Sequence, residues 1–203
     1  MHAERPDVKS ISGKHGSKST GATNVLRTLG KWPALVVLIV DVLKGAAAII
    51  VARSFCPWLS AELSSTPPTA LELQTWVPWA VCLAGIAVLL GHGRSIWLNF
   101  TGGKSAATGL GVLLAMSWPV GLGAPAVFGS VLAMVWIVSL GSILAALTAI
   151  VLVCALEHPL PYRLLVIAGA VCVIVRHRAN IQRLFARTEP RLGRSGWDAK
   201  AQL

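Results

Sequence analysis

The sequence predicts an all-α integral membrane protein, a polytopic bundle of six transmembrane helices, on three observations. Apolar residues make up 55% of the 203, charged residues only 13%, and the mean hydropathy is +0.69. A soluble chain of this length needs far more charge to cover its surface. Six apolar runs follow one another, separated by polar stretches. The cations gather on one set of those stretches, as the positive-inside rule requires. That distribution accounts for the net charge of +10, which in a soluble chain would point to nucleic acid. No nucleic-acid partner is expected. The basic face instead suits anionic lipid head groups and anionic substrates.

Residues 1–32 are polar and basic and carry no apolar core of a cleavable signal, so they read as an N-terminal segment ahead of the first span. Pro33 to Arg53 supplies about 20 residues, enough to cross the hydrocarbon. Trp32 and Trp58 flank it as interfacial anchors. Asp41 and Lys44 lie within it, three apart and so on one face, where a pair stabilising the bundle is the plainer reading and a lysine reaching a phosphate the sharper one. Phe55 to Thr75 reads as a loop. Trp76 to Leu90 is the second span, and Gly91 to Ser105 a glycine-rich polar loop. Ala106 to Val120, Pro125 to Leu140, Ser142 to Leu156 and Leu164 to Val175 complete the six. Gly121 to Ala124 and Gly141 read as the short turns of an antiparallel bundle. The membrane domain covers 33–176, and a basic tail covers 177–203.

Six spans place both ends of the chain on one side. Assigning that side to the cytoplasm gives it Arg27, Lys31, Arg94, Lys104 and the cations of the tail, leaving Arg53 and Arg163 opposite with Glu62, Glu72 and Glu157. Three polar segments then face the cytoplasm together. The four cysteines, Cys56, Cys82, Cys154 and Cys172, are scattered and support neither a disulfide framework nor a zinc site.

The first polar segment, Gly16 to Lys31, is small, hydroxylated and basic, with no carboxylate. Free N–H groups, hydroxyls and an arginine are what a phosphate ester needs. The second, Thr101-Gly102-Gly103-Lys104-Ser105, opens the third span, where the helix dipole favours an anion and the glycines admit close approach. A flexible turn with a snorkelling lysine explains it equally well. The third, Arg176 to Leu184, reads most simply as a membrane anchor, but His177 and Asn180 add an acid/base candidate and a neutral hydrogen-bonding group. No Asp or Glu lies in any of the three, which argues against paired-carboxylate catalysis and a metal centre. His15, His92 and His177 are the ordinary bases on that side. Such an inventory suits transfer from a phosphorylated donor, whose leaving group needs charge stabilisation.

These segments resemble the motifs of the bacterial acyl-phosphate:glycerol-3-phosphate acyltransferases, from about Lys14 to about Leu184. Gly16, Ser17, Gly21, Ala22, Thr23, Asn24, Arg27, Leu29 and Gly30 match the first motif, followed by Asp41, Lys44 and Gly45. His92, Phe100, Gly102, Gly103, Lys104, Ala107 and Thr108 match the second; His177, Arg178, Asn180, Ile181, Arg183 and Leu184 match the third. The resemblance implies transfer of a fatty acyl group from acyl-phosphate to the 1-hydroxyl of glycerol 3-phosphate, at the bacterial inner membrane and without metal or other cofactor. It implies Ser17, Arg27, His177 and Asn180 as catalytic residues. Thr23, Asn24, Lys44, His92, Gly102, Gly103, Lys104, Ser105 and Thr108 are implied as substrate-binding, and a soluble enzyme that produces acyl-phosphate as a functional partner. Lys18 and Ser19, Ser105 and Ala179 depart from the family's Gly-Asn, Gly and Glu, and the six spans are one fewer than the family's seven, with the first absent. Those departures define a second reading, a weakly active or inactive paralogue that binds an anionic lipid or phosphorylated metabolite. A small transporter has little support, because its mark would be broken polar helices at mid-membrane.

Overall fold

A computed structural model describes residues 21–64, 66, 68–94 and 102–192. Eight helices run through those described residues: α1 (Ala22–Leu29), α2 (Lys31–Leu63), α3 (Ala70–Gly93), α4 (Ala106–Met116), α5 (Trp118–Val135), α6 (Val138–Ala155), α7 (Leu160–Arg176) and α8 (Arg178–Phe185). The tail from 193 on lies outside the described residues.

The chain is an all-helical membrane protein. Four helices, α2, α3, α5 and α6, are long and apolar enough to cross a bilayer, and α7 with α8 makes a fifth candidate bent by 59°. The third expected span is where the count changes. Ala106 to Val120 is cut at Ser117, which takes extended backbone, so α4 keeps 11 residues, about 16 Å, half the hydrocarbon thickness. Pro119 forces the break: it lacks an N–H and belongs in the first turn of the next helix, which is where α5 places it. The carbonyls left over at the end of α4 are met by Arg53, whose guanidinium donates to Ala115 and Met116 at 2.9 and 3.0 Å and to the Tyr162 hydroxyl at 3.0 Å.

Three connections differ from expectation. Phe55 to Leu63 continues α2 through Pro57, and α3 starts at Ala70 because Thr69 and Glu72 form a reciprocal capping box. Gly121 to Ala124 and Gly141 lie inside α5 and α6 rather than in turns. In a membrane bundle glycine permits close helix contact: a Cβ on Gly121 would come within 2.6 Å of the Leu114 backbone, and one on Gly141 within 3.0 Å of the Phe128 ring. The actual break between α5 and α6 is at Trp136, held in the left-handed region at φ 61.

The core draws one nearly inaccessible side chain from each long helix: Ile49, Val81, Val120, Val153 and Leu165 are 1% exposed or less. The outer surface carries apolar side chains such as Val40, Leu43, Ile50, Val151 and Val171, as lipid contact demands. Two glycines decide where α4 sits. Added Cβ atoms on Gly45 and Gly111 would run into the carbonyl oxygens of Thr108 and Val42, so α2 and α4 touch backbone to backbone. This contact sets the start of α4 beside Asp41 and Lys44.

Candidate active site

Three separate stretches meet at one end of the bundle around a cavity of about 270 Å³. Helix α1 brings Thr23, Asn24 and Arg27 to it, the 102–105 segment brings Lys104 and Ser105, and the α7–α8 bend brings His177 and Asn180. Helix α1 forms because Gly21 starts it and Gly30, at φ +91, ends it. The bend at His177 turns α8 across the cavity, so that Asn180 and Arg183 point back to it. The first turn of α4 borders the same space through Ala106 and Ala107, placing the positive end of its dipole there. Away from this polar end the wall is Leu110, Leu113, Phe128, Ala149, Leu165 and Val166. The cavity is therefore cationic at one end and apolar along its length.

Lys104 donates to Asn180 Oδ1 at 2.5 Å, and Asn180 Nδ2 donates to Glu189 Oε1 at 2.5 Å. Glu189 also accepts from Ser139 at 2.8 Å and from Arg183 Nε at 2.7 Å. Burial pushes Lys104 down to about 8; Glu189 opposes this, while Arg183, Arg27 and Arg176 add to it. Burial likewise lowers Arg27, against the pull of Glu189. Burial alone would raise Glu189, but its hydrogen bonds from Asn180, Ser139 and Arg183 bring it below the ordinary carboxylate value. His177 is buried, and its Nδ1 lies 2.8 Å from the Val173 carbonyl. A carbonyl only accepts, so Nδ1 carries the hydrogen and Nε2 keeps a lone pair.

The remaining sequence candidates are placed as follows. Asp41 and His92 line the cavity. Lys44 is not among the lining residues; its ammonium lies 2.5 Å from Asp41 Oδ1 and 2.7 Å from His92 Nδ1. Gly102 and Gly103 turn their carbonyls to Arg176 at 3.0 and 3.1 Å, and the Gly103 N–H donates to the His92 carbonyl at 3.2 Å. Thr108 is fully buried in the α2–α4 contact, and its hydroxyl has no hydrogen-bond partner among the described residues. Ser17, with Lys18, Ser19, His15 and Phe100, lies outside the described residues. Sequence reasoning missed Glu189 and Ser139, and gave Arg176 no role beyond opening the third segment. A lone carboxylate in an arginine-rich stretch was the available signal for Glu189; nothing marked Ser139.

The two described departures are now legible. Ser105 occupies the left-handed region at φ 60, where glycine sits without strain, and its Oγ donates to the Leu89 carbonyl at 3.0 Å. Ala179 is exposed and lies outside the cavity lining.

The profile of the glycerol-3-phosphate acyltransferase family matches residues 8–187. The chain belongs to that family. It is 77% identical over 181 residues to glycerol-3-phosphate acyltransferase 2 of Rhizobium johnstonii, covering 89% of this chain and 83% of that one. It is 52% identical to the glycerol-3-phosphate acyltransferase of Trichormus variabilis, over 92% of this chain and 83% of that one. Among solved structures it resembles PlsY (YgiH), an integral membrane glycerol 3-phosphate acyltransferase, in its glycerol 3-phosphate form. The TM-score is 0.75 and the identity 32%, over 92% of this chain and 82% of that chain. The lysophosphatidic acid form of PlsY gives a TM-score of 0.74 at 32% identity, over 92% and 88%. Identity this high to family enzymes favours the acyltransferase over the non-catalytic paralogue.

Proposed function

We propose that the chain transfers a fatty acyl group from acyl-phosphate to the 1-hydroxyl of glycerol 3-phosphate, releasing lysophosphatidic acid and phosphate for phospholipid synthesis. The observation that carries this is the shape of the cavity: Arg27 and Lys104 at one end, and a mainly apolar wall from α4, α5, α6 and α7 beyond them. A long-chain acyl-phosphate has that polarity. The relatives are named glycerol-3-phosphate acyltransferases, and PlsY has been solved in a glycerol 3-phosphate form and a lysophosphatidic acid form.

In this reading the reaction is an acyl transfer in which charge stabilisation does most of the work. Oxygen 1 of glycerol 3-phosphate attacks the acyl carbon, the bond from that carbon to the phosphate oxygen breaks, and phosphate departs. Arg27 and the N-terminus of α4 stabilise the charge that grows on the leaving phosphate, while Lys104 meets the phosphate of the acceptor. His177 Nε2 accepts from the 2-hydroxyl of glycerol 3-phosphate and so orients the acceptor, leaving the hydrogen of the attacking hydroxyl directed at the donor's phosphate. The hydroxyl proton leaves with the departing phosphate, a stronger base than His177, which burial and Lys104 hold down to about 4. Ser17, Thr23 and Asn24 add hydrogen bonds, and the 102–105 segment with Ser105 holds the acceptor. The site faces the cytoplasm of a bacterial inner membrane, where a soluble enzyme supplies acyl-phosphate. The cations at this end support that orientation.

The test is phosphate release by the purified protein given palmitoyl-phosphate and glycerol 3-phosphate, compared with Ser17→Ala and Arg27→Ala. Release that needs glycerol 3-phosphate and is lost in both variants is expected. Release independent of glycerol 3-phosphate, or transfer only from palmitoyl-CoA, would sink the reading.

A further inference from the structure

We propose that Asp41, Lys44 and His92 form a positioning relay that holds the Gly102–Lys104 segment in the shape that receives the phosphate of glycerol 3-phosphate. The inference rests on the function proposed above and assigns these three residues a task other than touching substrate.

The relay begins in α2. The Lys44 ammonium contacts Asp41 one turn back and His92 on α3 at the same time, at 2.5 and 2.7 Å. An ammonium offers only donors, so His92 Nδ1 accepts, and the neutral ring carries its hydrogen on Nε2. A pair serving only to neutralise itself within α2 would have no need of the second contact, which joins residues 48 apart. From His92 the contacts pass to the loop in two ways. Its carbonyl accepts the Gly103 N–H at 3.2 Å. Its ring lies directly beneath Gly103: a Cβ there would collide with Nε2 and come within 2.6 Å of Cε1. Arg176 closes the arrangement by donating to the carbonyls of Gly102 and Gly103. The next residue is Lys104, whose ammonium reaches the polar end of the cavity.

Electrostatics agree with this assignment. Asp41 lines a cavity built for an anion, where a bare carboxylate would repel phosphate. Lys44 cancels that charge in place, and the cancellation leaves Lys104 and Arg27 as the cations that the ligand meets. A fixed ring under a glycine that admits no side chain then sets where the Lys104 backbone starts. Small displacements of such a support are costly, since a misplacement of about 1 Å can lower a rate about a hundredfold.

Steady-state kinetics on the full chain in detergent, with palmitoyl-phosphate and glycerol 3-phosphate, separates positioning from general stability. Lys44→Met is expected to raise KM for glycerol 3-phosphate about tenfold, with KM for palmitoyl-phosphate moving by less than about twofold. Lys44→Arg, which keeps the charge and donors, restores most of the loss. Gly103→Ala gives a similar rise by itself. The double variant Lys44→Met with Gly103→Ala is expected to stay near tenfold, because both changes release the same segment. A rise near a hundredfold in the double variant, or equal loss for both substrates alongside a lower melting temperature, would overturn the relay. If Lys44→Met does not fold, His92→Gln replaces it in the same cycle with the same criteria. Calorimetric binding of glycerol 3-phosphate is read on the same preparations. A wild type that binds but releases no phosphate refutes the enzymatic reading, while the Kd values of the cycle still decide the relay. A wild type that does not bind refutes both.

Discussion

Lys104 and Asn180, 76 residues apart in sequence, meet through a 2.5 Å hydrogen bond that ties the loop before α4 to the helix after the α7–α8 bend. The asparagine takes the lysine on its carbonyl and gives its amide to Glu189. A cation and an anion are thereby held one amide apart. Lys104 keeps its charge available to a ligand, and Glu189, which also lines the cavity, supports it from across the amide.

This arrangement predicts a pH profile. Lys104, held at about 8 chiefly by burial, is charged below that value and neutral above it. Its contribution to phosphate binding is therefore complete near pH 6–7 and lost as pH rises through about 8. We expect kcat/KM to fall along an alkaline limb in that range, and Lys104→Arg to move the limb upward out of it. A limb left in place by Lys104→Arg would assign the titration elsewhere.

Glu189 accepts from three side chains at once, Asn180, Ser139 and Arg183. Glu189→Ala leaves Ser139 and Asn180 without their partner in a buried place, at a cost of about 1–3 kcal/mol. The expected readings are a lower melting temperature in detergent and reduced turnover, since Asn180 no longer has a fixed amide. An unchanged melting temperature would show that the three contacts contribute nothing.

Ser105 balances two effects. Its left-handed backbone is strained, and its hydroxyl is hydrogen-bonded to the Leu89 carbonyl. Ser105→Gly relieves the first and loses the second, so stability should stay within about 1 kcal/mol. Ser105→Ala loses the bond and keeps the strain, at a cost of about 1 kcal/mol. Thermal unfolding of the two variants distinguishes them, and an equal effect would remove the hydroxyl from the account.

Ala179 stands where the resemblance places a glutamate, yet its side chain is exposed and away from the cavity. Ala179→Glu should therefore alter phosphate release by less than about twofold, as surface changes usually do. A gain of several-fold would mean that position 179 reaches the reaction after all.

Much of this was readable from the residues. Asn24, Arg27, Lys104, His177 and Asn180 stood out as small, cationic or amide groups at helix ends, and the cavity brings them together. The limits of the helices were harder. Hydropathy runs on smoothly from Ala106 to Val120, so only Pro119 marked the break after α4. Gly121 and Gly141 looked like turns because glycine ends helices in water, whereas between membrane helices it allows close packing. Glu189 stayed hidden for another reason. Its partners Ser139 and Asn180 come from α6 and α8, and no local spacing reveals a contact made only by the folded bundle.

The guanidinium of Arg53 closes the end of α4 opposite the site, and the hollow beside it shares no lining residue with the catalytic cavity. Met116 lines that hollow and belongs, with Val120 and Val153, to the apolar core. Among the described residues the two hollows are thus separate vessels rather than the two mouths of one conduit.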